Sequence, residues 1–263
     1  MITGNDIAQL FRLDGKVALV PGGYGGIGEA VCSGLAAAGA SVIVAGHNAA
    51  RCEALAETLR SEGAGAVAAP FDAHSVASIQ PMVDQAAGHF GRLDILVNCV
   101  GLNREEKLLD ITEENFDTVY SANLKSALFL SQAAARHMIP QGTGGKHVHL
   151  GSVRTLLGLR GRGYAAYCAA KGGLGTMAKQ LAAELAPHNI NVNVVAPTFV
   201  RTEQVAAMLA DPVFYESLTA RIPLGRVAEP EEVMHAILFF VSRASDFITG
   251  QVLYLDGGIT ATQ

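Results

Sequence analysis

Residues 16–45 hold a strand, a glycine turn, a helix and a second strand, and that order admits few folds. Lys16-Val-Ala-Leu-Val20 is a short apolar run, the pattern of a strand buried on both faces. Pro21-Gly-Gly-Tyr-Gly-Gly-Ile-Gly28 follows it, and then an alanine-rich helix over 29–38 that Gly39 ends. Ser41-Val-Ile-Val-Ala45 is the next strand. Strands joined by one crossover helix pair in parallel, which makes this a βαβ unit. Its turn carries two overlapping patterns, Gly23-x-Gly25-x-x-Gly28 and Gly22-x-x-x-Gly26-x-Gly28. Glycines there permit a tight turn and a close approach of backbone to a pyrophosphate, and the helix N-terminus adds N–H donors. Gly22, Gly23, Tyr24, Gly26, Ile27 and Gly28 are therefore candidate contacts for a dinucleotide.

The alternation continues to the end of the chain. Helices are predicted over 49–62, 76–90, 113–138, 164–186 and 231–242, and strands over 66–70, 93–97, 147–150, 192–195 and 252–255. A short leader, with a helical turn at 7–11, precedes the first strand. No linker or low-complexity tract divides the 263 residues. The fold class is α/β: a single doubly wound, Rossmann-type domain over 1–263, with a mostly parallel seven-stranded sheet flanked by helices. The long connection at 198–226, with a helical piece at 203–209, has the length of a substrate lid. Met208, Leu209 and Phe214 are its candidates for covering the site.

Half the residues are hydrophobic and 16% are charged, enough apolar material for a sizeable core. A net charge of -5 argues against nucleic acid and anionic membranes as partners. No apolar run reaches transmembrane length, and residues 1–6 do not resemble a secretion signal. Cys32, Cys52, Cys99 and Cys168 lack metal-ligand spacing, so no metal site and a cytoplasmic setting with reduced thiols are expected.

Chemistry is concentrated at Tyr167 and Lys171, four residues apart on one helix face. A nearby cation lowers a phenol's pKa; a shift of about 3 units takes about 4 kcal/mol and brings the proton into reach near neutrality. At the end of the second strand, where an acid would bind a ribose 2′-hydroxyl, none occurs between Glu29 and Glu53. Gly46, His47, Asn48 and Arg51 stand there instead, which favours NADP over NAD. His47 and Asn48 equally suit a helix cap.

The chain resembles the short-chain dehydrogenase/reductase family over residues 14–260. The likeness rests on the Gly22/Gly26/Gly28 turn, Asp72, Asn98-Cys-Val-Gly101, Asn123, Ser152, Tyr167-x-x-x-Lys171, Pro197 with Thr202, and the segment 248–258. Leu102-Asn-Arg104 is similar to the branch acting on sugar acids and polyols, including gluconate 5-dehydrogenases. Pro21, Cys99-Val100 and Thr198 depart from the family's usual Thr, Asn-Ala and Gly. Ser152 lies fifteen residues before Tyr167, about two more than the family spacing, with Leu156–Gly163 as the insertion and Thr155 as an alternative hydroxyl.

The resemblance implies a catalytic set of Asn123, Ser152, Tyr167 and Lys171. Ser152 orients the substrate oxygen and Tyr167 exchanges its proton. Lys171 holds the nicotinamide ribose and lowers the Tyr167 pKa. Asn123 kinks its helix through a bound water and connects Lys171 to solvent. Implied cofactor contacts, besides the turn, are His47, Asn48, Asp72, Asn98, Gly101, Tyr167, Lys171, Pro197, Val200 and Thr202. Arg104, Arg154 and Tyr164 are the substrate candidates, among arginines that also include Arg160, Arg162 and Arg201. The implied partner is a small alcohol or ketone, and the implied assembly a homodimer or homotetramer. Reduction of 3-oxoacyl carrier-protein thioesters is the alternative reaction. A non-catalytic nicotinamide sensor is the alternative of another class.

Overall fold

The computed structural model describes residues 3–262; Met1, Ile2 and Gln263 lie outside it. Helix α1 (Gly4–Leu10) is capped by Thr3 and precedes β1 (Val17–Pro21), all five residues of which are buried. The chain then runs α2 (Gly26–Ala37), β2 (Ser41–Gly46), α3 (Ala49–Ser61), β3 (Ala66–Pro70), α4 (Val76–Phe90) and β4 (Ile95–Asn98). It continues with α5 (Glu113–Tyr120), α6 (Ser126–Gln141), β5 (Gly145–Leu150), α7 (Ala165–Leu185) and β6 (Ile190–Pro197). Helices α8 (Glu203–Leu209), α9 (Pro212–Thr219) and α10 (Pro230–Val241) precede β7 (Val252–Leu255).

The seven strands form one sheet in the order β3-β2-β1-β4-β5-β6-β7. Every pairing is parallel, so the expected mostly parallel sheet is wholly parallel. Side chains alternate across it into two cores. One face packs Leu19, Ile43, Leu96 and Val192 against α4, α6 and α7. The other packs Val20, Val42, Val97 and Val195 against α2, α3 and α10. Each large aliphatic side chain buried this way contributes about 1.5–3 kcal/mol.

The order reverses between β1 and β4, because β2 and β3 wind to one side and β4 onward to the other. Crossover loops leave in opposite directions there and open a crevice at the carboxyl ends of the strands. Among the described residues, no helix is long and apolar enough to cross a membrane.

Three local expectations are corrected. The helix predicted over 113–138 is two helices joined by a π-helical turn, Ser121–Lys125. The strand predicted over 192–195 is longer, Ile190–Pro197, and Pro197 closes it, where its missing N–H costs little. The connection at 198–226 is not loose: α8 and α9 enclose a small core of Leu209, Leu218, Ile222 and Val227.

Candidate active site

A cleft of about 1100 Å³ opens at the switch point. The glycine turn forms its floor. Gly22 has φ 77°, open to glycine and strained for other residues. A Cβ on Gly22 would come within 2.8 Å of the Cys99 carbonyl carbon, and one on Gly26 within 2.8 Å of Thr202 Cβ. One on Gly28 would overlap the Gly22 carbonyl oxygen. The backbone just after β4 and the Thr202 side chain after β6 thus close to contact around the turn. No side chain caps α2 at Gly25, so the free N–H groups of its first turn are left to a ligand. This cradle fits a pyrophosphate.

One end of the cleft holds Tyr24, His47, Arg51 and Asp72. The Tyr24 hydroxyl accepts from Asn48 N–H at 3.3 Å and shares a hydrogen bond with His47 Nδ1 at 2.6 Å. The Arg51 guanidinium stacks 4.9 Å from the Tyr24 ring centroid and donates to the Tyr24 carbonyl at 3.2 Å. A Cβ on Gly46 would run into that ring, so the glycine makes room for it.

The other end holds Ser152, Tyr167 and Lys171. Ser152 follows β5 and its Oγ accepts from Arg154 N–H at 3.2 Å. Tyr167 stands on the first turn of α7, where alanines pack close to the sheet. Lys171, one turn on, is only 2% exposed, and its Nζ donates to the Leu150 carbonyl at 2.7 Å. Burial pulls it down to about 8, opposed by Cys99. Tyr167 is pushed up to about 12 by burial, while Ser152 and Arg154 pull it back. The expectation that Lys171 lowers the Tyr167 pKa is corrected for this arrangement. The ammonium lies 5.7 Å from the ring centroid and is directed at a backbone carbonyl, not at the phenol oxygen.

Asn123 does not line the cleft; it is buried behind it. Its Nδ2 donates to the Val119 and Leu102 carbonyls at 2.8 and 2.6 Å, and its Oδ1 accepts from Leu102 N–H at 3.3 Å. The side-chain amide thus answers the Val119 carbonyl beside the π-turn. Asn123 Oδ1 and Lys171 Nζ both approach Gly101, at 3.6 and 3.7 Å from where its Cβ would stand.

Gly22, Tyr24, Gly26, Ile27, Gly28, His47, Asp72, Gly101, Pro197, Val200 and Thr202 line the cleft, with Tyr164 and Arg154. Besides Asn123, four nominees do not. Gly23 packs inward against the Val20 carbonyl. Asn48 spends its side chain on Arg51 N–H, capping α3. Asn98 is buried behind the wall, where its Oδ1 accepts from Val100 N–H at 3.1 Å. Arg104 turns outward and donates to Asn115. In the lid, Met208 lines the cleft, but Leu209 and Phe214 fill the lid's own core. Thr155 does not line it, which leaves Ser152 as the serine or threonine hydroxyl at the end of β5.

Arg154 is 8% exposed and has no carboxylate partner among the described residues. Its Nη1 donates to the Leu157 and Gly158 carbonyls at 3.1 and 2.5 Å, and burial lowers its pKa. Asn103 and Glu105 line the same end and were not foreseen. Asn103 had a signal in Leu102-Asn-Arg104, while Glu105 had only its proximity to that stretch. Asn103 Oδ1 and Thr198 Oγ1 are buried without partners among the described residues.

Residues 23–260 match a family model described as enoyl-(acyl carrier protein) reductase. The chain is 37% identical to the 2-dehydro-3-deoxy-D-gluconate 5-dehydrogenase of Escherichia coli K12, over 96% of this chain and 98% of that one. It is 37% identical to the L-xylulose reductase of Bos taurus, over 95% and 99%. A crystal structure of a gluconate 5-dehydrogenase from Burkholderia cenocepacia, in complex with NADP and tartrate, superposes with TM-score 0.93 at 35% identity, over 98% and 100%. The glycine cradle, the Ser152/Tyr167/Lys171 end and these likenesses agree: the chain belongs to the short-chain dehydrogenase/reductase family, oxidoreductases that move a hydride between a nicotinamide cofactor and an alcohol or ketone.

Proposed function

We propose that this protein is an NADP-dependent oxidoreductase interconverting a secondary alcohol and a ketone on a short polar substrate, a sugar acid or polyol. The observation that carries the substrate reading is Arg154, a buried guanidinium without a carboxylate partner at the Tyr167 end of the cleft. A buried cation is costly unless an anion meets it, and a guanidinium fork suits a carboxylate. The relatives named for sugar acids, and the tartrate in one of their structures, support the same reading. NADP is supported by His47 and Arg51 at the far end, by the absence of an acid at the end of β2 between Glu29 and Glu53, and by the NADP of that neighbour.

The nicotinamide, when bound, supplies the hydride chemistry. The chain's own residues hold and move the proton. Ser152 Oγ, beside Tyr167, would turn its one O–H to the substrate oxygen and fix that oxygen's position. Tyr167 gives its phenol proton to that oxygen in reduction and takes it back in oxidation. A phenol held at about 12 is a poor base near neutrality, so Arg154 and Ser152 are the groups that favour its ionised form here. Lys171, tied to the Leu150 carbonyl, would hold the ribose hydroxyls of a bound nicotinamide nucleotide.

The test is a panel of keto acids, sugars and acyl thioesters with NADPH or NADH, followed by nicotinamide absorbance. Sugar acids or polyols are expected to react, NADPH in preference to NADH, and Tyr167→Phe to lose turnover by about 100-fold or more. Arg154→Ala is expected to raise KM for the acids at least tenfold. An unchanged KM removes Arg154 from the reading, and preferential turnover of acyl thioesters replaces the substrate. Cofactor binding with no turnover on any compound, and no effect of Tyr167→Phe in vivo, favours a sensor.

A further inference from the structure

The chain leaves the cleft at Arg154 and re-enters it at Arg162; residues 155–161 between them do not line it. Each end of this excursion is fastened by an arginine. Arg154 holds its start through the Leu157 and Gly158 carbonyls. Arg162 holds its end differently. Its Nε donates to both carboxylate oxygens of Glu105, at 2.7 and 2.8 Å, and Nη2 adds a third contact. Glu105 Oε1 also accepts from Gly163 N–H at 3.1 Å, and Gly163 returns its carbonyl to Glu106 N–H at 3.1 Å. A Cβ on Gly163 would collide with the Glu106 backbone, so the two loops touch. The Arg162 guanidinium lies 5.5 Å from the Tyr164 ring centroid, and that ring packs edge-on to Tyr167 at 6.0 Å.

We propose that the Glu105–Arg162 pair is the specificity determinant of this site: it staples the loop after β4 to the excursion after β5 and closes the substrate end of the cleft with a polar wall. Both side chains are about one-third exposed and both line the cleft. A substrate extending past Tyr164 meets a satisfied ion pair and not an opening. Short substrates bearing hydroxyl groups find a carboxylate to accept and a guanidinium to donate. A long acyl chain must displace the pair and leave both charges without partners. The proposal rests on the reading that the Tyr167 end receives an oxo substrate, but not on which one.

The test is a length series of methyl ketones and 3-oxoacyl thioesters, beside short hydroxylated ketones. Each compound is assayed for turnover, and for binding by calorimetry where it does not turn over. The variants are Glu105→Gln, the Glu105→Ala/Arg162→Ala pair, and the exchange Glu105→Arg/Arg162→Glu. The double alanine variant is expected to raise kcat/KM or affinity for the longest members at least tenfold relative to the short ones, through KM. Glu105→Gln keeps the shape and is expected to move in the same direction. The exchange is expected to restore part of the wild-type ratio. A length preference unchanged in every variant, with only the melting temperature lowered, overturns the proposal. Failure of sugar acids to react with the wild type counts against the substrate reading alone.

Discussion

At the scale of single residues, Lys171 shows how far burial reaches. Its ammonium is buried in the interior with one carbonyl to meet it, and that burial makes the folded state give up the proton near pH 8, well below the ordinary value. The unfolded chain keeps that proton up to about pH 10.5. Unfolding therefore takes up a proton across this window, and this lysine's contribution to stability rises with pH from about 8 to 10.5. The full effect is on the order of 3 kcal/mol. Lys171→Met is expected to lack that rise, so the difference between its denaturation midpoint and the wild type's shifts between pH 7.5 and pH 10. A constant difference would mean that the lysine ionises as freely folded as unfolded. Tyr167 and Lys171 were legible in the sequence because the chemistry requires those residue types at that spacing. Their electrostatics were not, because spacing places two side chains on one face without saying which atom each one meets. The same limit explains Arg104 and Asn103, neighbours in an irregular loop, of which the second faces the cleft and the first does not.

Among elements, the π-turn at Ser121–Lys125 is the clearest case of structure hidden by periodicity. An extra residue in one turn leaves the apolar pattern of the flanking helices nearly intact, so 113–138 reads as one helix. Asn123→Ala removes the amide that answers the Val119 and Leu102 carbonyls. It is expected to cost about 1–3 kcal/mol of stability and to weaken cofactor binding through Leu102 and Gly101. Denaturation and cofactor titration check it, and a stable variant binding normally would refute it.

Strand β5 carries a second hidden feature. His147 and His149 are two apart, share one face and are fully buried against α6. His149 bonds Ser131 at 3.0 Å and approaches Asn98, while His147 meets only the Met138 sulfur. Burial lowers His147 to about 3 and His149 to about 4. Between pH 6.5 and about 4 the unfolded chain binds protons that the folded chain refuses, so stability falls as pH falls. Each histidine costs up to about 1.4 kcal/mol per pH unit. His147→Leu is expected to move the acid unfolding midpoint down by roughly half a pH unit or more; no movement would show that other groups govern acid loss.

Over the whole molecule, the sheet is anchored from both faces while the lid is not. Its core of four buried residues is separate from the two that clamp the sheet. Segments with few buried contacts open at lower free energy than the body. Leu218→Ala is expected to cost the lid about 2–4 kcal/mol. Hydrogen exchange is expected to quicken over residues 203–219 and not in β1 or β4, and KM to rise more than kcat falls. Uniform quickening would instead make the lid part of one cooperative unit. The sheet order was legible because every strand run is followed by a helical one, which leaves parallel crossovers as the simple connection. In the 198–226 connection the first helix, 203–209, was legible and the second was not, since helices of seven and eight residues carry too little pattern to be read as a packed pair.

The excursion between Arg154 and Arg162 has a bearing on how such a chain changes over time. The Arg154 fastening reaches as far as Gly158, the Arg162 fastening holds the far end, and a Cβ on Gly161 would meet nothing within 4 Å. Residues inserted between Gly158 and Gly161 extend outward into open space, while Ser152 and Tyr167 stay fixed by β5 and α7. The segment behaves as an interchangeable cassette whose length and sequence can drift, and onto which a peptide can be grafted, while the reaction centre keeps its shape.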